Sequence, residues 1–157
     1  MKENTSNYLY KFLSLFSVVR GYNIITLVIA QYLTSIFIFS PNKSLRFVLL
    51  DSNLFFIVLA SVCVVAAGYI INNFYDKEKD KINRPVKSKI DSLVSQKTKL
   101  SVYFMLNFIG AILAYIISWR AVLFFSGYIF LIWLYSHKLQ KYPFIGIISV
   151  SILTILP

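Results

Sequence analysis

The stretch Asn72-Asn73-Phe74-Tyr75-Asp76-Lys77-Glu78-Lys79-Asp80-Lys81-Ile82-Asn83-Arg84-Pro85 begins where a long apolar run, Asn53 to Ile71, ends. Within it Asn72, Asp76 and Asp80 recur every fourth residue. On a helix that spacing stacks side chains on one face about 6 Å apart. An amide and two carboxylates therefore converge where an apolar segment meets water. Hard cations take oxygen ligands, and Mg2+ is usually held by one or two carboxylates together with the phosphate oxygens of a substrate. The stretch reads as the protein's share of a cation site at the end of a membrane helix.

Composition supplies the membrane. Apolar residues make up 58% of the 157-residue chain and the mean hydropathy is +0.70, whereas an ordinary soluble domain is about 45–50% apolar. Five runs approach or reach the roughly 17–25 residues that a bilayer demands: Asn23 to Ser40, Asn53 to Ile71, Leu100 to Ser118, Ala121 to Ser136, and Phe144 onward. The predicted fold class is all-α, a polytopic transmembrane helical bundle. The fifth run is still apolar at Pro157, so residues 1–157 are expected to form one domain that is the N-terminal part of a longer protein. A half-sized protein that dimerises is the other expectation. No small-residue cleavage pattern precedes the first run, which is expected to persist in the mature protein.

Orientation follows from the basic residues, which are retained on the cytoplasmic side of a span. Lys2, Lys11 and Arg20 precede or open the first run; Lys77, Lys79, Lys81, Arg84, Lys87, Lys89, Lys97 and Lys99 follow the second; Lys138 and Lys141 follow the fourth. Only Lys43, Arg46 and Arg120 fall on the other side. The N-terminus and the acidic stretch are thus expected in the cytoplasm, in a multi-pass protein of the inner (cell) membrane. The same bias, together with attraction to anionic lipid headgroups, accounts for most of the net charge of +10, and nucleic-acid binding is not indicated. Asp76, Glu78, Asp80 and Asp91 nevertheless share the loop with eight basic residues. That mixture suits an anionic, metal-bound substrate better than a plain lipid surface.

Other chemistries are excluded. Cys63 has no partner and lies within the second run, so neither disulfides nor a thiolate metal site is available. His137 is the single histidine and is expected to be structural or merely exposed. No Gly-x-Ser-x-Gly, phosphate-binding glycine loop or internal repeat is present. The acidic stretch taken alone has a bland reading, since Asp and Lys interleaved at a helix end form solvated pairs worth about 0.2–0.5 kcal/mol each.

The complete string Asn72-x-x-x-Asp76-x-x-x-Asp80-Lys81-Ile82-Asn83-Arg84-Pro85 resembles the first aspartate-rich motif of the UbiA superfamily of intramembrane prenyltransferases. Arg20-Gly21-Tyr22-Asn23 is similar to the Arg-Pro-x-Asn element that opens the first helix of many members, with Gly21 in place of Pro. Tyr135-Ser136-His137-Lys138-Leu139-Gln140-Lys141 is similar to the family's Tyr-Ser-x-x-Leu-Lys-Arg element, with Gln140 at the Lys position. The resemblance covers essentially the whole chain and implies the first four to five of an expected nine helices around a cavity open to lipid. It also implies transfer of an isoprenyl group from its diphosphate to an acceptor. On that basis Asn72, Asp76 and Asp80 would hold Mg2+ against the diphosphate, and Arg84, Lys138 and Lys141 would neutralise its remaining charge. Tyr135 would bond the diphosphate or face the forming cation, and Arg20 and Asn23 would orient the acceptor or a phosphate on it, although snorkelling at the membrane edge explains Arg20 equally well. Tyr69, Phe74 and Tyr75 are candidates for the cavity wall, although interfacial anchoring explains such aromatics equally well.

The tight join from Asp80 to Pro85 and the Arg20 to Asn23 element are most like the geranylgeranylglyceryl-phosphate geranylgeranyltransferase group. Aromatic, quinone-type acceptors come next. The Met-x-Arg-Thr element of haem-directed members is missing, and Val86-Lys87-Ser88-Lys89 stands where a further Arg-Pro and Gly often follow. CDP-alcohol phosphotransferases are excluded because Ala66-Ala67-Gly68-Tyr69-Ile70 does not supply their Asp-Gly-x-x-Ala-Arg run. A non-catalytic membrane fragment or scaffold remains, because the family's second aspartate-rich motif is not in this chain. The expected partners are a prenyl diphosphate, membrane lipids and the missing C-terminal half of the fold. Without that half the chain is expected to be inactive.

Overall fold

The computed structural model describes residues 12–157; Lys2 and Lys11, and with them the N-terminal part of the orientation argument, lie outside the described residues. A short helix α1 over 12–18 breaks at Arg20 and gives way to α2 (Gly21–Thr34), which runs on through a π turn, Ser35–Phe39. A five-residue helix α3 (Leu45–Leu49) precedes α4 (Ser52–Tyr75). Two short helices, α5 (Lys77–Asn83) and α6 (Pro85–Asp91), lead to α7 (Gln96–Ile117). Then come α8 (Trp119–His137), a single 3-10 turn (Leu139–Lys141) and α9 (Pro143–Ile155).

Among the described residues four stretches are long and apolar enough to cross a membrane: Gly21–Phe39, Ser52–Tyr75, Gln96–Ile117 and Trp119–Lys141. These correspond to the first four apolar runs, with shifted ends. The shifts have local causes. Asp51 accepts from the Leu54 amide at 2.9 Å and so starts α4 ahead of the apolar run. Ser95 and Ser118 do the same for α7 and α8, through Thr98 N–H at 3.1 Å and Ala121 N–H at 3.2 Å. Such caps satisfy amides that have no partner within the helix and contribute about 1 kcal/mol each. Pro143 opens α9, where its missing N–H costs nothing.

Helix α4 is the axis of the bundle. Ala60, Cys63 and Val64 pack with Leu113 and Ala114 of α7 and with Phe125 and Tyr128 of α8. Nearer the acidic stretch, Ala67, Ile70 and Ile71 meet Val18 of α1 and Tyr103 of α7. Small residues let the backbones approach. A Cβ on Gly110 of α7 would come within 2.9 Å of the Val64 side chain, and one on Gly68 of α4 within 3.0 Å of Ile132 on α8. The Tyr128 hydroxyl donates to the Leu153 carbonyl at 3.0 Å and ties α8 to α9. Helix α2 lies at the edge, and Gly21 is its one buried residue.

Candidate functional site

The four-residue ladder survives the end of α4. Asp76 caps both α4 and α5, yet the backbone bonds run on from Asp76 N–H to Asn72 C=O (2.9 Å), Asp80 N–H to Asp76 C=O (2.8 Å) and Arg84 N–H to Asp80 C=O (2.8 Å). Asn72, Asp76 and Asp80 therefore stand turn above turn, with Arg84 one turn beyond. At Arg84 the backbone leaves the helix (φ −141°, ψ 63°) and Pro85 begins α6 in a new direction.

Below the ladder, α2, α4, α8 and α9 enclose a cavity of about 510 Å³. Its polar wall includes Arg20, Asn23, Tyr69, Asn72, Tyr135 and Ser136; Leu27, Val65, Ile132 and Leu153 are among its apolar lining. Asn72 Oδ1 and Ser136 Oγ, both on this wall, are buried without a hydrogen-bond partner among the described residues. A buried acceptor left unmade costs about 1–3 kcal/mol, so Asn72 Oδ1 calls for a partner that the protein does not provide. One amide and two carboxylate groups are a hard-cation donor set, and an orphaned amide oxygen beside them fits Mg2+. Among the described residues no three His, Cys, Asp or Glu side chains cluster, so a cation here must complete its shell from elsewhere.

Asp76 is the best positioned of the acidic residues. Its Oδ1 accepts from Gln140 Nε2 at 3.1 Å and from Lys79 Nζ at 3.2 Å. Gln140 sits in the turn after α8 and closes that helix onto the end of α4. Lys138 and Lys141 flank it, exposed and off the cavity wall. Asp80 is half-buried and likewise does not line the cavity. Tyr69 does line it, whereas Phe74 and Tyr75 do not; the Tyr75 ring instead meets His137 edge-on at 5.3 Å, and His137 stacks on Trp133 at 5.4 Å.

Arg20 stands at the break between α1 and α2 in the left-handed region, at φ 51° and ψ 59°. Its guanidinium lies 5.3 Å above the Tyr69 ring, and Asn23 Nδ2 donates to the Tyr69 hydroxyl at 3.0 Å. The structure thus gathers Arg20, Asn23, Tyr69, Asn72 and Tyr135 around one cavity. Asp76, Asp80 and Arg84 do not line that cavity. Together with Arg20, Ser17 and Lys87, Arg84 opens onto a separate pocket of about 250 Å³.

Three residues of the supposed lipid-facing loop prove to be internal. Asp91 is 3% exposed and Lys99 is 2% exposed, so neither meets lipid headgroups or substrate. Asn73 Nδ2 donates to Asp91 Oδ2 at 2.9 Å, while Lys99 Nζ donates to Asn73 Oδ1 at 2.8 Å. Ser17 donates to Asp91 Oδ1 at 3.0 Å, and Lys87 Nζ reaches Asp91 Oδ2 at 3.0 Å. This knot joins α1, α4, α6 and α7 directly behind the ladder. It fixes the rotation of α4, because Asn73 uses both ends of its amide on the face turned away from the cavity. The sequence signal for it was faint: an extra amide beside Asn72 and a lysine one residue ahead of an apolar run.

A bundle of apolar helices with a polar-walled cavity beneath an amide and carboxylate ladder defines a polytopic integral membrane protein. The model of the UbiA prenyltransferase family matches residues 24–157, and the chain belongs to that family. It is 39% identical over 101 residues to digeranylgeranylglyceryl phosphate synthase of Pyrococcus horikoshii, covering 64% of this chain and 36% of that protein. The proteins of the same description from Thermococcus sibiricus and Methanobrevibacter smithii are 37% identical over 103 residues (66% and 36% covered) and 28% identical over 144 residues (87% and 47% covered). A solved structure of digeranylgeranylglyceryl phosphate synthase in membranes superposes with a TM-score of 0.78 at 21% identity, covering 93% of this chain and 50% of that one. That likeness concerns the fold. The chain spans between about a third and a half of the length of the proteins it matches.

Proposed function

We propose that this chain forms the first half of a membrane prenyltransferase that moves a geranylgeranyl group from its diphosphate to a hydroxyl of geranylgeranylglyceryl phosphate. The observation that carries this reading is the buried, unpartnered Asn72 Oδ1 on a cavity wall directly below Asp76. The relatives, digeranylgeranylglyceryl phosphate synthases, support the same acceptor class. Asn72, Asp76 and Asp80 would hold Mg2+, which when bound supplies Lewis-acid stabilisation of the departing diphosphate oxygens.

The chain's own residues do the rest. Gln140 and Lys79 both bond Oδ1 of Asp76, which leaves its Oδ2 for a cation. Lys138 and Lys141, exposed at the same end of α8, would add fixed positive charge where diphosphate charge accumulates. Tyr135 presents a ring and a hydroxyl to the cavity where an allylic cation would form, and Val65, Ile132 and Leu153 keep that space apolar. Arg20 and Asn23 would orient the acceptor from the opposite wall. The single domain is completed by a second half carrying the facing ligands, in the inner membrane with the ladder on the cytoplasmic side.

The test joins this chain to that second half. Asp76→Asn and Asp80→Asn should each abolish Mg2+-dependent release of pyrophosphate from geranylgeranyl diphosphate while leaving the amount of folded protein unchanged. Undiminished turnover in either variant would refute the metal role.

A further inference from the structure

The pocket of about 250 Å³ beside the ladder is lined by Phe16, Ser17, Arg20, Gly21, Tyr22, Arg84 and Lys87. Three of its side chains are cationic. Lys87 is partly neutralised by Asp91 at 3.0 Å, but among the described residues neither Arg20 nor Arg84 has a carboxylate within ion-pair distance. Two arginines without a carboxylate partner on the wall of one pocket, the Arg20 guanidinium lying over the Tyr69 ring, leave positive charge there for an anion to offset. Each presents a planar fork that matches phosphate oxygens.

Charge and position narrow the anion. A phosphate monoester carries about −1.5 to −2 at neutral pH, which matches two unpaired guanidiniums better than the single charge of a bilayer phosphodiester does. Arg20 lines both this pocket and the larger cavity, so one amphiphile can place its phosphate here and its hydroxyl beside Asn72 and Tyr135. Arg84 has turned off the ladder at its φ of −141° and opens onto the smaller pocket, whereas the larger cavity reaches the ladder only at Asn72 and is lined by neither Asp76 nor Asp80.

We propose that Arg20, Arg84 and Lys87 form a monophosphate pocket that selects the phosphate-bearing acceptor, and that Arg84 serves this pocket rather than the donor diphosphate. The proposal deepens the prenyltransferase reading and rests on it for the identity of the acceptor. The phosphate recognition itself is measurable without turnover.

The probe is 1-oleoylglycerol phosphate, with monoolein as its uncharged counterpart, titrated against the protein in phosphatidylcholine nanodiscs. Wild type should bind the phosphate probe more tightly than monoolein. Arg84→Gln should weaken the phosphate probe by about tenfold, in line with one charge-assisted contact, and leave monoolein unchanged. Arg84→Lys should fall between, because it keeps the charge and loses the fork. Arg84 is exposed, so these variants fold. Equal affinity in wild type and Arg84→Gln, or equal affinity of wild type for the two probes, overturns the pocket. Displacement of the probe in nanodiscs rich in phosphatidylglycerol overturns it as an acceptor site and makes it a headgroup site. Mg2+-dependent binding of pyrophosphate, measured in parallel, should be unaffected by Arg84→Gln. A parallel loss returns Arg84 to the donor and sinks the proposal. Joined to its second half, a wild type that binds the phosphate probe but no pyrophosphate leaves the pocket standing and refutes the metal ladder instead.

Discussion

Arg20 carries the one positive φ among the described non-glycine residues, 51°, a conformation that costs an L-residue about 1–2 kcal/mol. Strain of this kind persists where surroundings over-determine it, here through the Tyr69 ring under the guanidinium and the α1–α2 break around it. A pair of substitutions separates backbone from side chain. Arg20→Ala and Arg20→Gly both lose the cation–π contact, but only glycine relieves the strain. Arg20→Gly should therefore be the more stable of the two in detergent thermal unfolding, by about 1 kcal/mol, although both lose the phosphate preference. Equal melting would mean that the left-handed turn is not strained. At this scale Asn72, Asp76 and Asp80 were legible, because a four-residue period is a property of the chain itself. Gln140 was not, since its bond to Asp76 spans 64 residues and no local pattern encodes it. Gly21 was read as a missing proline; its neighbourhood gives a different reason, since a Cβ there would overlap the Phe16 ring that walls the phosphate pocket.

The elements follow hydropathy closely and their ends follow polar chemistry. Helix α4 outruns its apolar stretch by a full turn because Asn73 is satisfied by Asp91 and Lys99. Helix α6 went unforeseen because its seven residues are too few for a period, and it is held by Asp91 and by the Ser14 bond to the Ile90 carbonyl at 2.7 Å. Lys97 and Lys99 look alike in sequence, yet Lys99 is buried because it sits on the face of α7 that meets α4. Removing the Asp91 charge weakens the bonds it accepts from Asn73, Ser17 and Lys87 and leaves the buried Lys99 ammonium with Asn73 Oδ1 as its partner, a loss of about 1–3 kcal/mol. Asp91→Asn should accordingly lower stability substantially, and Lys99→Met introduced into that background should recover part of the loss. A double-mutant cycle on denaturant or thermal unfolding reads the coupling. Strict additivity would show that Asn73 does not relay between the two charges.

For the whole molecule, the orientation and the missing half are the testable expectations. Cysteines placed at Lys43 and Lys89, both exposed, in a Cys63→Ala background should react with impermeant thiol reagents from opposite faces of the membrane. Reaction of both from one face would reverse the assignment. The chain alone should be correctly inserted and yet transfer no geranylgeranyl group, because its cavity lacks a facing set of ligands and an enclosing wall. Mg2+-dependent transfer by the isolated chain would favour a dimer of halves. The class of fold was readable from composition. The arrangement of two adjoining pockets was not, because it depends on how α1 and α6 fold back on the end of α4, a matter of tertiary packing. That fold-back also sets an order in time. Asn73 leaves the ribosome 26 residues before the lysine that will engage its carbonyl, and at synthesis rates of about 5–20 residues per second the wait is about 1–5 s. During that interval the fourth helix enters the bilayer with its C-terminal end unlatched, so the rotational setting of the ladder is a late event in biogenesis, fixed only when the third span arrives.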